Sequence, residues 1–344
     1  MFARSIRVFA ALLALAAASP ALADQPPQKL TIAIAGKGLS FIIQYVAIGA
    51  GFYKQEGIDP EIVNVSSGTT MAAAVLGGSA DITQLGLPHT LEAVARGGNL
   101  VAIGTGFDKY PIALVLSDAA IKRAGITDSM TLDEKIKRLR GLSIGITAPG
   151  ASTDEFMRTI MEVRGMNPAK DVRLEPIGIG APMVAATQRG IIDGFAFMSP
   201  FTDMAVSQGI GKVIADPMQD NVPEYKDVPY QVITTSRTTL ETKRPLLLAT
   251  ERALAKAIKY CHDDPAGTRR IVRTFFQNVP EADFNTAFDS YMKGVPTTTV
   301  LTQTQVENTL RMVNLAEKVP IHPAFDKVVD DSLAETAAKQ ILGK

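Results

Sequence analysis

Leu30-Thr31-Ile32-Ala33-Ile34-Ala35-Gly36-Lys37-Gly38-Leu39-Ser40 returns 112 positions later as Leu142-Ser143-Ile144-Gly145-Ile146-Thr147-Ala148-Pro149-Gly150-Ala151-Ser152. The correspondence runs without a gap from Leu30–Pro88 to Leu142–Pro200, and 14 of its 59 positions are identical. Shuffled residues at average usage would match at roughly 4. An internal repeat outranks any local pattern as a guide to architecture. Two halves of the plan strand, loop, helix, strand imply two lobes with a cleft between them.

The elements follow from this stretch outward. Leu30–Ala35 reads as a buried strand, Ser40–Gly51 as a helix, Gly57–Pro60 as a turn and Glu61–Val65 as a second strand. Ser66–Thr70 opens an Ala-rich helix that Gly77-Gly78 ends, and Ala80–Gln84 is a third strand. The second copy gives strands at Leu142–Thr147, Asp171–Pro176 and Ile191–Phe197, with a helix whose Ser152 and Glu155 read as a capping box. Strands alternating with helices at this spacing predict a mostly parallel sheet in each half. Between the copies, Leu100–Ile103 and Ile112–Leu116 read as strands, and Gly104-Thr105-Gly106 as the first crossing between lobes. The Pro-rich stretch Asp216–Tyr230 reads as the return crossing, followed by a strand at Gln231–Thr235. Helical apolar spacing then recurs at Pro245–Tyr260, Gly267–Phe276, Gln303–Leu315 and Phe325–Ile341, expected to pack on the first lobe.

Arg4 and Arg7, the apolar run Val8–Ala18 and Ala21-Leu22-Ala23 have the form of a secretory leader, residues 1–23, cleaved before Asp24. Without those two arginines, 33 basic residues face 35 acidic ones, a charge of −2 that argues against nucleic acid or an anionic membrane as partner. The one cysteine, Cys261, excludes an intramolecular disulfide and reads as a buried spectator. His89, His262 and His322 are scattered, and no nucleophile elbow, phosphate loop, dinucleotide fingerprint or metal-ligand cluster appears. The expectation is no enzyme, no catalytic residue, no cofactor and no metal.

Ala47-Ile48-Gly49-Ala50-Gly51-Phe52-Tyr53-Lys54-Gln55-Glu56-Gly57-Ile58 resembles the A-x-x-x-G-[FY]-[FY]-x-x-E-G-[IL] signature of periplasmic substrate-binding proteins. The subgroup is the one that serves sulfonate, nitrate, taurine and thiamine-precursor ABC importers, and Gly68–Gln84, Leu139–Gly145 and Ala185–Asp193 fit its pattern too. The resemblance implies a two-lobed α/β fold of the type II periplasmic-binding class, with residues 28–105 plus 230–344 as one lobe and 106–229 as the other. It implies a periplasmic monomer that hands a small molecule to an inner-membrane permease. Met198-Ser199-Pro200 stands where many relatives carry an acidic or aromatic residue before the proline, which weakens the transfer of any relative's ligand. A thiamine-pyrimidine-making branch of the wider family resembles a Cys-rich, iron-dependent catalyst, a motif one cysteine cannot supply.

In open α/β sheets ligands sit beyond the carboxyl ends of the strands. The repeat puts equivalent loops there, and helix N-termini favour anions. The first copy offers Lys37, Gly38, Ser40, Phe41, Tyr45, Gly68, Thr69, Thr70, Leu87 and His89, and the crossing offers Thr105. The second copy offers Gly150, Ser152, Thr153, Gly180, Ser199 and Phe201. Lys37 is the one cation in these loops, and Phe41, Tyr45 and Phe201 would form an apolar wall. Asp81 and Asp193, each closing a Gly-x-x-Asp turn, read as structural. The sequence thus points to a singly charged organic sulfonate or carboxylate, with or without an aromatic body; the other readings are a neutral pyrimidine-like thiamine precursor as ligand, or an enzyme or sensor on the same scaffold.

Overall fold

The computed structural model describes residues 26–226, 228–315 and 319–344, so the leader expected at residues 1–23 lies outside the described residues. Among the described residues, ten strands form two five-stranded sheets. The first contains β1 (Gln28–Ala35), β2 (Ile58–Val65), β3 (Ile82–Gly86), β4 (Leu100–Phe107) and β10 (Gln231–Ser236), in the order β2-β1-β3-β10-β4. The second contains β5 (Ala113–Ser117), β6 (Ser143–Ile146), β7 (Arg173–Pro176), β8 (Gly194–Phe197) and β9 (Gly211–Ala215), in the order β7-β6-β8-β5-β9. In both, three parallel strands come from one repeat copy, and the fourth runs antiparallel after the chain has crossed over.

The repeat is carried down to the register. Thr31 faces Glu61 and Ile32 faces Ile82 in the first sheet; Ser143 faces Arg173 and Ile144 faces Gly194 in the second, each pair displaced by the repeat offset. Asp81 accepts a hydrogen bond from the Thr31 N–H at 2.9 Å, and Asp193 accepts the equivalent one from Ser143 at 2.9 Å. A carboxylate that ties the start of one strand to the turn before another explains why both aspartates recur.

Several boundaries differ from expectation. Strand β2 begins at Ile58 and includes Asp59 and Pro60, because β2 is an edge strand where a missing N–H breaks no ladder. Gly104–Gly106 is no crossing: it lies inside β4, and the chain crosses beyond Phe107. Glycine is needed there, since a Cβ on Gly104 would stand 2.6 Å from a Glu251 carboxylate oxygen and one on Gly106 2.8 Å from Gln84 Cγ. Ser40 sits in a short 3-10 turn, Leu39–Phe41, and the α-helix proper spans Ile42–Gly49. Phe325–Ile341 is not one helix but Phe325–Val328 and Ser332–Ala337, separated by Val329, which bridges to Ala102.

The long Arg244–Asp263 helix packs on Ile42–Gly49 and Ser332–Ala337 beside the first sheet. The unforeseen Glu281–Tyr291 helix instead packs on Phe201–Ser207 of the second copy, where the Tyr291 hydroxyl accepts from the Ser199 N–H at 3.0 Å. Cys261 is buried, and loss of water around it pushes its thiol up to about 12. Among the described residues, no helix is long and apolar enough to cross a membrane.

Candidate functional site

The loops at the carboxyl ends of the two sheets meet each other reciprocally, and glycine makes the approach possible. A Cβ on Gly36 would lie 2.5 Å from Ile179 Cδ1, and one on Gly38 2.5 Å from Met198 Sδ. From the other side, a Cβ on Gly86 would lie 3.2 Å from Ser152 Oγ, and Gly150 faces the Thr69 methyl at 3.8 Å. The first loop of each copy therefore contacts the later loops of its counterpart.

They enclose a chamber of about 40 Å³. The first copy contributes Ala35, Phe41, Ser67, Gly68, Met71 and Gly86. The second contributes Thr147, Ala151, Ser152, Thr153, Ile179, Phe197 and Met198, and the return crossing adds Tyr230 and Gln231. No lysine or arginine is among them. Two helices start at the chamber, Gly68–Leu76 and Ser152–Glu162, and the first N–H groups of a helix have no acceptor within it.

One wall is polar. His89, buried at the start of the Leu87–Ala95 helix, has Nδ1 3.0 Å from Glu155 Oε1 and Nε2 3.2 Å from Ser152 Oγ. Burial pulls the imidazole's pKa down, but the Glu155 charge and hydrogen bond, with Glu92 behind them, raise it above its ordinary value. Each ring nitrogen of His89 thus faces a polar partner from the second copy. The order serine, histidine, carboxylate is that of a hydrolase triad. Tyr110 closes the rear, its hydroxyl 3.4 Å from the Ser152 carbonyl and its ring 4.2 Å from Tyr225 and 4.9 Å from Tyr230.

The opposite wall is apolar. Ser40, the repeat equivalent of Ser152, meets the Met198 sulfur at 3.8 Å, and Phe201, the equivalent of His89, lies over Gly180, where a Cβ would fall 2.9 Å from its ring. Beyond it opens a larger cavity of about 330 Å³, bordered by Lys37, Phe201 and residues 274–279.

The expected site residues divide accordingly. Phe41, Gly68, Ser152 and Thr153 line the chamber, while Gly38, Ser40, Thr69, His89 and Gly150 flank it. Lys37 and Phe201 line the outer cavity, with Gly180 beneath Phe201. The others lie elsewhere. Thr70 completes a capping box, accepting from the Ser67 N–H and donating to the Ser67 carbonyl. Tyr45 is core, stacked on Phe275 at 4.4 Å, and Leu87 belongs to an apolar cluster with Leu91 and Val232. Thr105 lies in β4 and bonds Asp108; Ser199 bonds Thr202 beside Asp203 and Asp216. The capping box expected of Ser152 is not formed. Ala151 is the N-cap, and Glu155 turns instead to His89, its Oε1 3.0 Å from the ring Nδ1.

Ser67 and Gly86 fell within the loops read from sequence but were not singled out. Ile179 belongs to the Gly178–Gly180 loop that the sequence also marks, whereas Thr147, Tyr230 and Gln231 reach the chamber through topology alone.

The model of the NMT1-like family matches residues 24–275. A nitrate/nitrite binding protein, NrtA, of Nostoc sp. is 31% identical over 126 residues, 36% of this chain and 26% of that protein. The chain thus spans about a quarter of the length of that curated relative. Among solved structures, one from Bordetella bronchiseptica superposes with a TM-score of 0.76 at 24% identity, covering 91% of this chain and 97% of the other. The alkanesulfonate-binding protein SsuA from Xanthomonas axonopodis pv. citri, bound to MOPS, gives a TM-score of 0.66 at 16% identity over 91% and 99%. At these identities the structures speak for the periplasmic-binding-protein fold alone.

Proposed function

We propose, from the premise that the chain belongs to the NMT1-like family, that it is the solute-binding component of an ABC importer. In this reading residues 1–23 are a cleavable leader, and the mature protein is a periplasmic monomer. Residues 28–105 plus 230–344 and residues 106–229 move as two lobes. They close on a small organic monoanion, a sulfonate or carboxylate, and the closed form docks on the permease.

The observation that carries the reading is the reciprocal meeting of the two copies around a chamber lined by hydroxyls and helix starts. Micromolar affinity requires about 8 kcal/mol. One helix end supplies about 0.3–1 kcal/mol and one charge-assisted hydrogen bond about 1.5–3. Donors from both copies must therefore converge on a single ligand. His89 is paired with Glu155 and no lysine or arginine lines the chamber, so it offers oriented donors and little net charge. That suits a monoanion and disfavours phosphate or citrate. The named functions of the relatives, nitrate/nitrite and alkanesulfonate binding, support an anion. The serine–histidine–glutamate array serves binding in this account, and the protein is not a catalyst.

A second reading, a neutral pyrimidine-like ligand, draws on the absence of lysine and arginine from the chamber and on Gln231 and Tyr230 in its wall. Thermal unfolding of the mature protein against sulfonates, carboxylates, nitrate and pyrimidines separates the two. A true ligand at hundredfold excess over Kd adds about 2.7 kcal/mol. The anion reading expects that gain from a sulfonate or carboxylate; stabilisation by a neutral heterocycle alone contradicts it.

A further inference from the structure

The cavity of about 330 Å³ beyond the Gly36–Gly38 loop is far larger than the chamber, and it joins three separate parts of the chain. Lys37 comes from the first copy, Phe201 and Met204 from the second, and Phe275, Gln277 and Asn278 from the segment after the Pro265–Arg273 helix. Two aromatic rings are held from behind. Phe275 is stacked on the buried Tyr45 at 4.4 Å with 28° between planes, and Phe201 leans on Phe197 at 5.8 Å over Gly180. Such rings present flat apolar surface at little further entropic cost. Lys37 is exposed and forms no ion pair among the described residues, so its ammonium is available to a ligand. Exposed amides at Gln277 and Asn278 stand at the rim. Apolar walls, two fixed rings, one cation and a few amides are the ingredients of a pocket for an organic anion, at a volume in the ordinary range of about 300–1,000 Å³.

We infer that this cavity is a second binding site, separate from the chamber, for an aromatic monoanion whose carboxylate or sulfonate meets Lys37 while its ring lies between Phe201 and Phe275. The inference goes beyond the function proposed above and does not rest on it. An occupant would touch both copies of the repeat and the C-terminal helices at once.

The test is a fluorescence titration of the full mature protein with 2-naphthalenesulfonate, with the chamber variant Ser152→Ala separating the two sites. Lys37→Ala is expected to weaken binding tenfold or more, Lys37→Arg to stay within threefold, and Phe201→Leu to weaken it severalfold. Lys37 is on the surface, so its variants should melt like the parent. Ser152→Ala should leave the probe's Kd unchanged, because that hydroxyl serves the chamber. Absence of saturable binding, indifference to Lys37→Ala, or an equal loss in Ser152→Ala each overturns the second site. Dependence on Lys37 with indifference to Ser152 supports it, even if no small anion proves to fill the chamber.

Discussion

The first copy of the repeat carries His89 where the second carries Phe201, and Gly86 where the second carries Met198. Their strands share a register and their aspartates share a hydrogen bond, but their loops have diverged in chemistry. His89 reaches across to Ser152 and Glu155, making one wall polar. Phe201 and Met198 close over Gly180 and Gly38, making the other apolar. Conservation within the copies maintains two sheets that present their loops alike. Divergence between them gives the space in the middle two unlike walls.

Swapping the equivalent residues is the sharpest way to break this comparison. His89→Phe leaves Glu155 without its cation in a largely buried position and should cost about 2–3 kcal/mol in thermal unfolding, below the range for a fully buried pair because Glu155 is partly exposed. Phe201→His, at a half-buried position bordering the outer cavity, should cost less than about 1 kcal/mol. Equal losses would mean that the two walls do not differ as described.

Where the copies agree, effects should agree. Asp81→Ala and Asp193→Ala each remove a carboxylate that accepts a strand N–H, a bond of about 1.5–3 kcal/mol. Each carboxylate also pairs with a surface cation, Lys243 at 2.6 Å or Arg123 at 2.5 Å. Melting temperatures of the two variants should fall by similar amounts; a harmless change in one copy would show that its aspartate is not the structural twin of the other.

Ligand affinity should distinguish the two serines. Ser152→Ala removes a hydroxyl within hydrogen-bond distance of His89 and should weaken a chamber anion about tenfold, near 1.4 kcal/mol. Ser40→Ala removes one that meets only the Met198 sulfur and should change the calorimetric Kd less than about threefold.

The smallest effect is that of pH. His89's pKa is raised above the ordinary 6.5, against the pull of burial, by Glu155 and then Glu92; Arg158 and Tyr110 also border the pair. Its contribution is therefore fully present below about pH 6.5 and lost as pH rises through the raised value. Affinity measured across that window should decline with rising pH, and Glu155→Gln should flatten the profile. A decline of the same size in Glu155→Gln would remove His89 from the account.

Much of the fold could be read in the chain because the repeat, the buried strands and the Gly-x-x-Asp turns are local patterns. The misread segments have local reasons too. Pro60 looks like a turn until β2 is known to be an edge strand, and Gly104–Gly106 looks like a hinge until Glu251 and Gln84 are seen filling the missing side-chain space. Strand β9 escaped notice because Lys212 and Val213 are both exposed and break the apolar alternation. The Glu281–Tyr291 helix carries Asn285, Thr286 and Asp289 among its aromatics, which blurs the helical signal. At the candidate site, the helix-start loops were visible, but the union of His89 with Ser152, 63 positions away, was not. Nor was the role of Tyr230 and Gln231, which arrive only because the chain crosses twice.

Small-angle scattering of the mature protein, with and without whichever anion stabilises it in the thermal screen, tests the central claim most directly. Closure of the two copies around the chamber predicts that the radius of gyration falls on saturation and that the liganded curve matches the structure described here. An unchanged radius of gyration at saturating ligand, with Ser152→Ala binding as tightly as the parent, would contradict it.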